Sequence, residues 1–201
     1  MPDARTHDLI TVATGAVMTP VVYGYLSEAM QRGHADAVTL TLWLVGSHLV
    51  SGILFSPDLD LDSKIDNRWG VFYWIWRPYM RIIPHRHFFS HSLIFSPLLR
   101  LAYFYLVVTL LLFFWVWVMA QLGLVVPDYH MQLYQYMRAW LSANPEVSIA
   151  VLLGFCTGSA AHTIADWSVT NGQRFLRIFG IRITRSYRGH DGSIHQRRVR
   201  W

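Results

Sequence analysis

Residues 101–126 read LAYFYLVVTLLLFFWVWVMAQLGLVV, a run with no charged side chain and with apolar residues on every face of a helix drawn through it. A water-facing helix keeps a polar face, and this run has none. A helix rises about 1.5 Å per residue, so roughly 20 apolar residues cross a hydrocarbon core of about 30 Å. The run reads as a membrane span, and the rest of the chain is read outward from it.

Three further stretches without Asp, Glu, Lys or Arg cover residues 9–27, 37–57 and 147–165, and the long run itself extends over 101–127. Ser47, His48 and Ser51 dilute the second. Thr, Gly and Pro20 interrupt the first, for which a buried or half-inserted helix is the alternative. The expected fold is all-α, a polytopic membrane bundle of about four transmembrane helices. Residues 1–170 form one membrane-embedded domain with a middle loop over 58–100, and 171–201 form a short basic tail. The flank MPDARTHD has one Arg and two Asp and leads to no Ala-x-Ala site, so the first stretch reads as retained, not as a cleaved signal. The lone Cys156 permits no intramolecular disulfide and reads as a small apolar filler.

Basic residues set the orientation. With four spans, one side holds Arg5, then Lys64, Arg68, Arg77, Arg81, Arg86 and Arg100, then the eight arginines from Arg174 to Arg200. The other side holds only Arg32 and Arg138. The positive-inside rule then places both termini and the middle loop in the cytoplasm. The net charge of +5 is accounted for by this topology and by anionic headgroups, so no nucleic-acid partner is expected. RWGVFYWIWRPYMR, residues 68–81, interleaves aromatics with Arg; base stacking is one reading, and an interfacial or re-entrant segment at headgroup level is the one adopted.

The metal-type residues gather on that same side. His162 and Asp166 lie four apart and share a helix face, where their side chains can converge on one ion or simply bond to each other. Ala150, Gly154 and Gly158 continue the row, small residues that admit a neighbouring helix closely. SPDLDLDS, residues 56–63, carries Asp58, Asp60 and Asp62; in an extended segment the three carboxylates point one way, and a cation relieves their repulsion. Its bland reading is a solvated loop paired with Lys64 and Arg68.

IIPHRHFFSHSL, residues 82–93, places His85, His87 and His91 within seven residues, a density suited to zinc, iron or nickel. If that segment is helical, His87 and His91 share a face; otherwise His85 and His91 flank the ion. Arg86 suits a phosphate or carboxylate of a substrate, or a headgroup. His7, in RTHD with Thr6 as a helix cap, faces the others. His48 lies ten residues before Asp58, about 15 Å along a helix, and reads as an interior polar contact. His34 and His130 fall in loops on the far side, and His190 and His195 in the tail.

Seven candidate ligands, His7, Asp58, Asp60, His85, His91, His162 and Asp166, exceed the three or four that a single zinc takes. Two metals, or one metal with an elaborate surrounding shell, are implied.

The order RTHD, PDLD, HR with HS shortly after, and HxxxD resembles a family of bacterial inner-membrane metal-dependent hydrolases, and within it a small metal-binding branch whose members begin near RTHD. The resemblance covers roughly residues 5–170 and lies in the order and spacing of the motifs. It implies a helical protein of the bacterial inner membrane, a divalent-metal site, hydrolytic activity without an established substrate, and those same seven residues as the site. Broader relatives read His-Arg-Gly-x-Thr-His-Ser, whereas this chain has HRHFFSHS, one residue longer with His87 in place of Gly; His85 and His87 both stay open. The HxxxD helix is also similar, at the level of fold, to zinc-dependent phospholipase C.

The function expected is hydrolysis of a phosphoester or ester, a lipid foremost, by one or two divalent metals at the cytoplasmic face. Zinc is the first choice, with manganese or iron also suited. Asp60 or Asp62 would act as general base and Arg86 would steady the developing anion. The rival readings are a non-catalytic sensor or structural metal site, and a transporter. The partners expected are membrane lipids and a small-molecule or lipid substrate.

Overall fold

Hydroxyls explain how the Thr-bearing first stretch is a long helix. In the computed structural model, which describes residues 4–56, 69–82, 92–125, 128–178, 185–188 and 194–197, α1 runs over Ala4–Gly24 and passes through Pro20. Thr11, Thr14 and Thr19 donate to the carbonyls of His7, Ile10 and Gly15, four residues back, so each hydroxyl is satisfied inside its own helix. A π-helical turn at Tyr25–Ala29 follows, downstream of the proline that removes one backbone donor. Thr6, expected as a cap, lies inside the first turns, because the helix is already running at Ala4.

Helix α2 spans His34–Leu54 and ends where the N–H of Phe55 closes on Ser51 and Val50. A 3₁₀ segment, Gly70–Trp76, then passes into the short α3, Arg77–Ile82. Helix α4 covers Phe95–Gln121, α5 covers Tyr129–Ala143 and α6 covers Pro145–Ile178. In the tail, β1 (Arg185–Arg188) and β2 (Ile194–Arg197) pair antiparallel with Arg185 opposite Arg197. Helix α6 thus extends past Asn171, where the sequence reading begins the tail.

Four of these elements are long and apolar enough to cross a bilayer: Arg5–Ala29, α2, α4 and Pro145–Ser168 of α6. They alternate in direction. His7 at the start of α1 meets Asp166 on α6, while at the other end Arg32 pairs with Glu146 at 2.5 Å and the Tyr23 hydroxyl lies 2.9 Å from His34 Nδ1. His34 therefore opens a helix and does not sit in a loop.

The small residues of α6 bring α2 into backbone contact. A Cβ at Gly154 would run into Ser47 Oγ and the Leu44 carbonyl, and one at Gly158 into the His48 carbonyl and, at 2.9 Å, Gly52 N. Ser51 exploits the approach and donates to the Phe155 carbonyl at 2.6 Å. Gly52 does the same for α1, since its missing Cβ is where Thr11 sits. Close packing of backbones, with hydroxyl cross-links, is how helices associate when lipid supplies no hydrophobic drive between them.

Three expectations are corrected here. The third span begins six residues earlier than the sequence suggests: Pro97 is accommodated in the first turn of α4, where its missing N–H costs nothing, and Arg100 is drawn inside the helix. Arg100 is 2% exposed, so it is not a topology-setting loop residue. The region 58–100 is likewise not a single loop. Ile75, Trp76 and Tyr79 are buried, and Trp76 packs against Phe55, Tyr103 and Phe104, so the interfacial aromatic segment is half core, leaving Val71, Phe72 and Trp74 exposed. Finally, His130 belongs to α5, an exposed helix between α4 and α6, and its ring meets Phe113 edge-on.

Candidate metal centre

His162 and Asp166 occupy adjacent turns of α6, and His7 comes from the first turns of α1. His7 Nε2 lies 3.3 Å from Asp166 Oδ1, and His162 Nε2 lies 3.7 Å from Asp166 Oδ2. One donor atom from each residue falls within 4.8 Å of the other two. The His7 and His162 rings stack with centroids 3.7 Å apart. Exposure is 3% for His7, 1% for His162 and 8% for Asp166.

These residues fit a metal. Around a tetrahedral zinc with bonds of about 2.0–2.2 Å, neighbouring donors lie about 3.4 Å apart, close to the two Nε2–carboxylate separations. Neither ring nitrogen of His7 and neither carboxylate oxygen of Asp166 has a hydrogen-bond partner among the described residues. A buried polar atom left in that condition is costly, and coordination is one way to relieve it. Two imidazoles and a carboxylate are a donor set suited to zinc and to non-haem iron alike.

The surroundings hold the donors in place. Thr11 Oγ1 donates to the His7 carbonyl at 2.9 Å, fixing the turn from which His7 projects. Gly158, one turn before His162, sits directly on α2. Further into the bundle the His48 ring is engaged at both nitrogens: Nδ1 lies 3.1 Å from Thr157 Oγ1, and Nε2 lies 3.0 Å from Thr14 Oγ1 and 3.1 Å from the Thr11 carbonyl. His48 is an interior hydrogen-bonding residue, as its spacing suggests, and is not in the donor group.

Of the sequence candidates, the structure brings together His7, His162 and Asp166. Asp58, Asp60, Asp62, His85, Arg86, His87 and His91 lie outside the described residues. The sequence reading missed the buried pair Arg100 and Ser159, three residues before His162, joined at 3.2 Å. Helical phase carried the signal: Ser159 shares its face with both His162 and Phe155.

No curated protein and no solved structure gives a significant match to the chain. A family model described as "Uncharacterized metal-binding protein (DUF2227)" matches residues 2–176. With nearly the whole helical part of the chain inside that match, and a buried His–His–Asp cluster able to hold a metal ion, the chain belongs to the DUF2227 family of metal-binding proteins.

Proposed function

We propose that this protein spans a membrane and hydrolyses a phosphoester or ester, a lipid foremost, with a divalent metal held at its cytoplasmic face. The observation that carries the reading is the convergence of His7, His162 and Asp166 into a buried three-donor cluster between the first and last long helices. Three protein donors are what catalytic metal sites use, the remaining position being left for water or substrate. A bound divalent metal there supplies a Lewis acid that lowers the pKa of water to about 7 and polarises a phosphoryl or acyl oxygen.

The other roles fall to the chain's own residues. Two imidazoles and one carboxylate leave a divalent ion with net positive charge in a buried site, which calls for further carboxylates. Asp58 and Asp60, which follow the end of α2, are the ones proposed, with His85 and His91 completing a second ion's donors. Asp60 or Asp62 accepts the proton of the attacking water, and Arg86 steadies the anion that develops. The arginine-rich side of the chain is the cytoplasmic side, that of the bacterial inner membrane. A lipid substrate is favoured by an apolar cleft of about 570 Å³ between α2, α4 and α6. Val151 and Phe155 line it, on the stripe of α6 that continues to His162 and Asp166.

The near-complete burial of all three donors favours a second reading, a non-catalytic structural or sensing site with a closed shell. One experiment separates them. Metal-loaded protein in detergent is assayed against phosphoester and carboxylic-ester lipids beside His162→Ala/Asp166→Ala. Hydrolysis that disappears in the double variant supports the hydrolase. Stoichiometric metal with no turnover, and a cobalt(II) spectrum unmoved by added anions, supports the closed site.

A further inference from the structure

We propose that Arg100 is the positioning residue of the metal centre, holding the turn that presents His162 and the exit of α2 in fixed relation to each other. The guanidinium is buried and bound inward on three helices. One nitrogen, Nη1, donates to the Phe55 carbonyl at the end of α2. Nη2 donates to Ser96 Oγ on its own helix and to Ser159 Oγ on α6, the latter at 3.2 Å, and Nε donates to the Ser96 carbonyl at 3.3 Å.

An arginine near the end of a membrane-spanning helix ordinarily reaches for the headgroups. This one is 2% exposed, and its fork of hydrogen bonds contributes to offsetting the desolvation cost of burying the charge. Two of its anchors bear on the centre. Ser159, fully buried, sits three residues before His162 on the same face of α6, and Thr163 donates back to the Ser159 carbonyl at 3.2 Å. Phe55 caps the C-terminal end of α2, where carbonyls lack a helical partner and a cation is favoured. From there the chain proceeds through Ser56 and Pro57 to Asp58 and Asp60. A single rigid fork therefore sets the spacing between the donors of α6 and the departure point of the acidic run. A lysine in its place is a point charge without the fork.

This inference rests on the metal-binding reading, and the experiment keeps the two apart. Zinc affinity is measured by competition titration, and the visible spectrum of the cobalt(II) form is recorded, for wild type, Arg100→Lys, Ser159→Ala and the double variant in detergent. Residues that orient metal ligands typically contribute about 10–100-fold to affinity. Arg100→Lys is expected to lose at least about tenfold, with a changed cobalt spectrum. Ser159→Ala, which removes one hydroxyl, loses less, and the double variant is no worse than Arg100→Lys because the two share one bond. Wild-type affinity and spectrum in both single variants, whatever their melting temperatures, would overturn the role of Arg100. Failure of wild type to bind zinc or cobalt would overturn the centre itself.

Discussion

His7 and His162, from the first and last long helices, lie face to face with their rings 3.7 Å apart and 18° from parallel. The two rings and the buried carboxylate bring one donor atom from each residue within 4.8 Å of the others. A metal lies in the plane of an imidazole that binds it, so the stacked rings must turn about χ2, a torsion with broad wells, to aim both at one ion.

Removing any of the three donors should therefore abolish stoichiometric metal. Metal analysis of purified His7→Ala, His162→Ala and Asp166→Ala is expected to show near-complete loss in each. Added zinc should stabilise wild type by about 2.7 kcal/mol at about 100 times the dissociation constant, and leave the variants unshifted. An equal thermal shift in all four proteins would place the ion elsewhere.

The glycines of the α2–α6 contact should be sharply unequal. Gly158→Ala puts a methyl against the His48 carbonyl and Gly52, and overpacking of this kind costs about 1–3 kcal/mol. Gly46 has open space where its Cβ would stand, so Gly46→Ala should leave the melting temperature within a degree or two of wild type. Equal effects of the two would mean that the helices do not meet along the row through Gly154 and Gly158.

His48 tests whether the polar interior serves the centre or only the bundle. His48→Ala strips the Thr11 carbonyl of its side-chain partner and leaves a void, which should lower stability by about 1–3 kcal/mol while the metal content stays at the wild-type level. Metal uptake into vesicles by wild type that vanishes in this variant would instead revive the transporter reading.

Orientation is open to cysteine labelling. In a Cys156→Ala background, a cysteine at Ser142, exposed near the end of α5, should react with a membrane-impermeant thiol reagent from outside intact bacteria. One at Ser193 in the basic tail should react only after lysis. The reverse pattern would invert the proposed topology and move the centre to the outer face.

Much of this architecture is visible in the sequence because four helices are long and apolar over whole segments, a pattern that length and composition alone reveal. The apolar run of α4 and the i, i+4 spacing of His162 and Asp166 need no tertiary information. What a single sequence conceals are the side chains whose company is decided across helices. Arg100 reads as a flanking charge until the Phe55 carbonyl and Ser159 are seen around it. Trp76 reads as an interfacial aromatic until Phe55 and Phe104 close over it. α5 escapes notice for the opposite reason: its tyrosines, glutamines and lone arginine form no apolar run, and none of its residues is buried.

The join between α1 and α6 has a consequence for biosynthesis. His7 is made well before His162 and Asp166, which appear only when α6 is synthesised. The cluster consequently cannot form before α6 is made, and any ion it captures is captured once α1 and α6 have docked. Occupancy would then report that the first and last long helices have met.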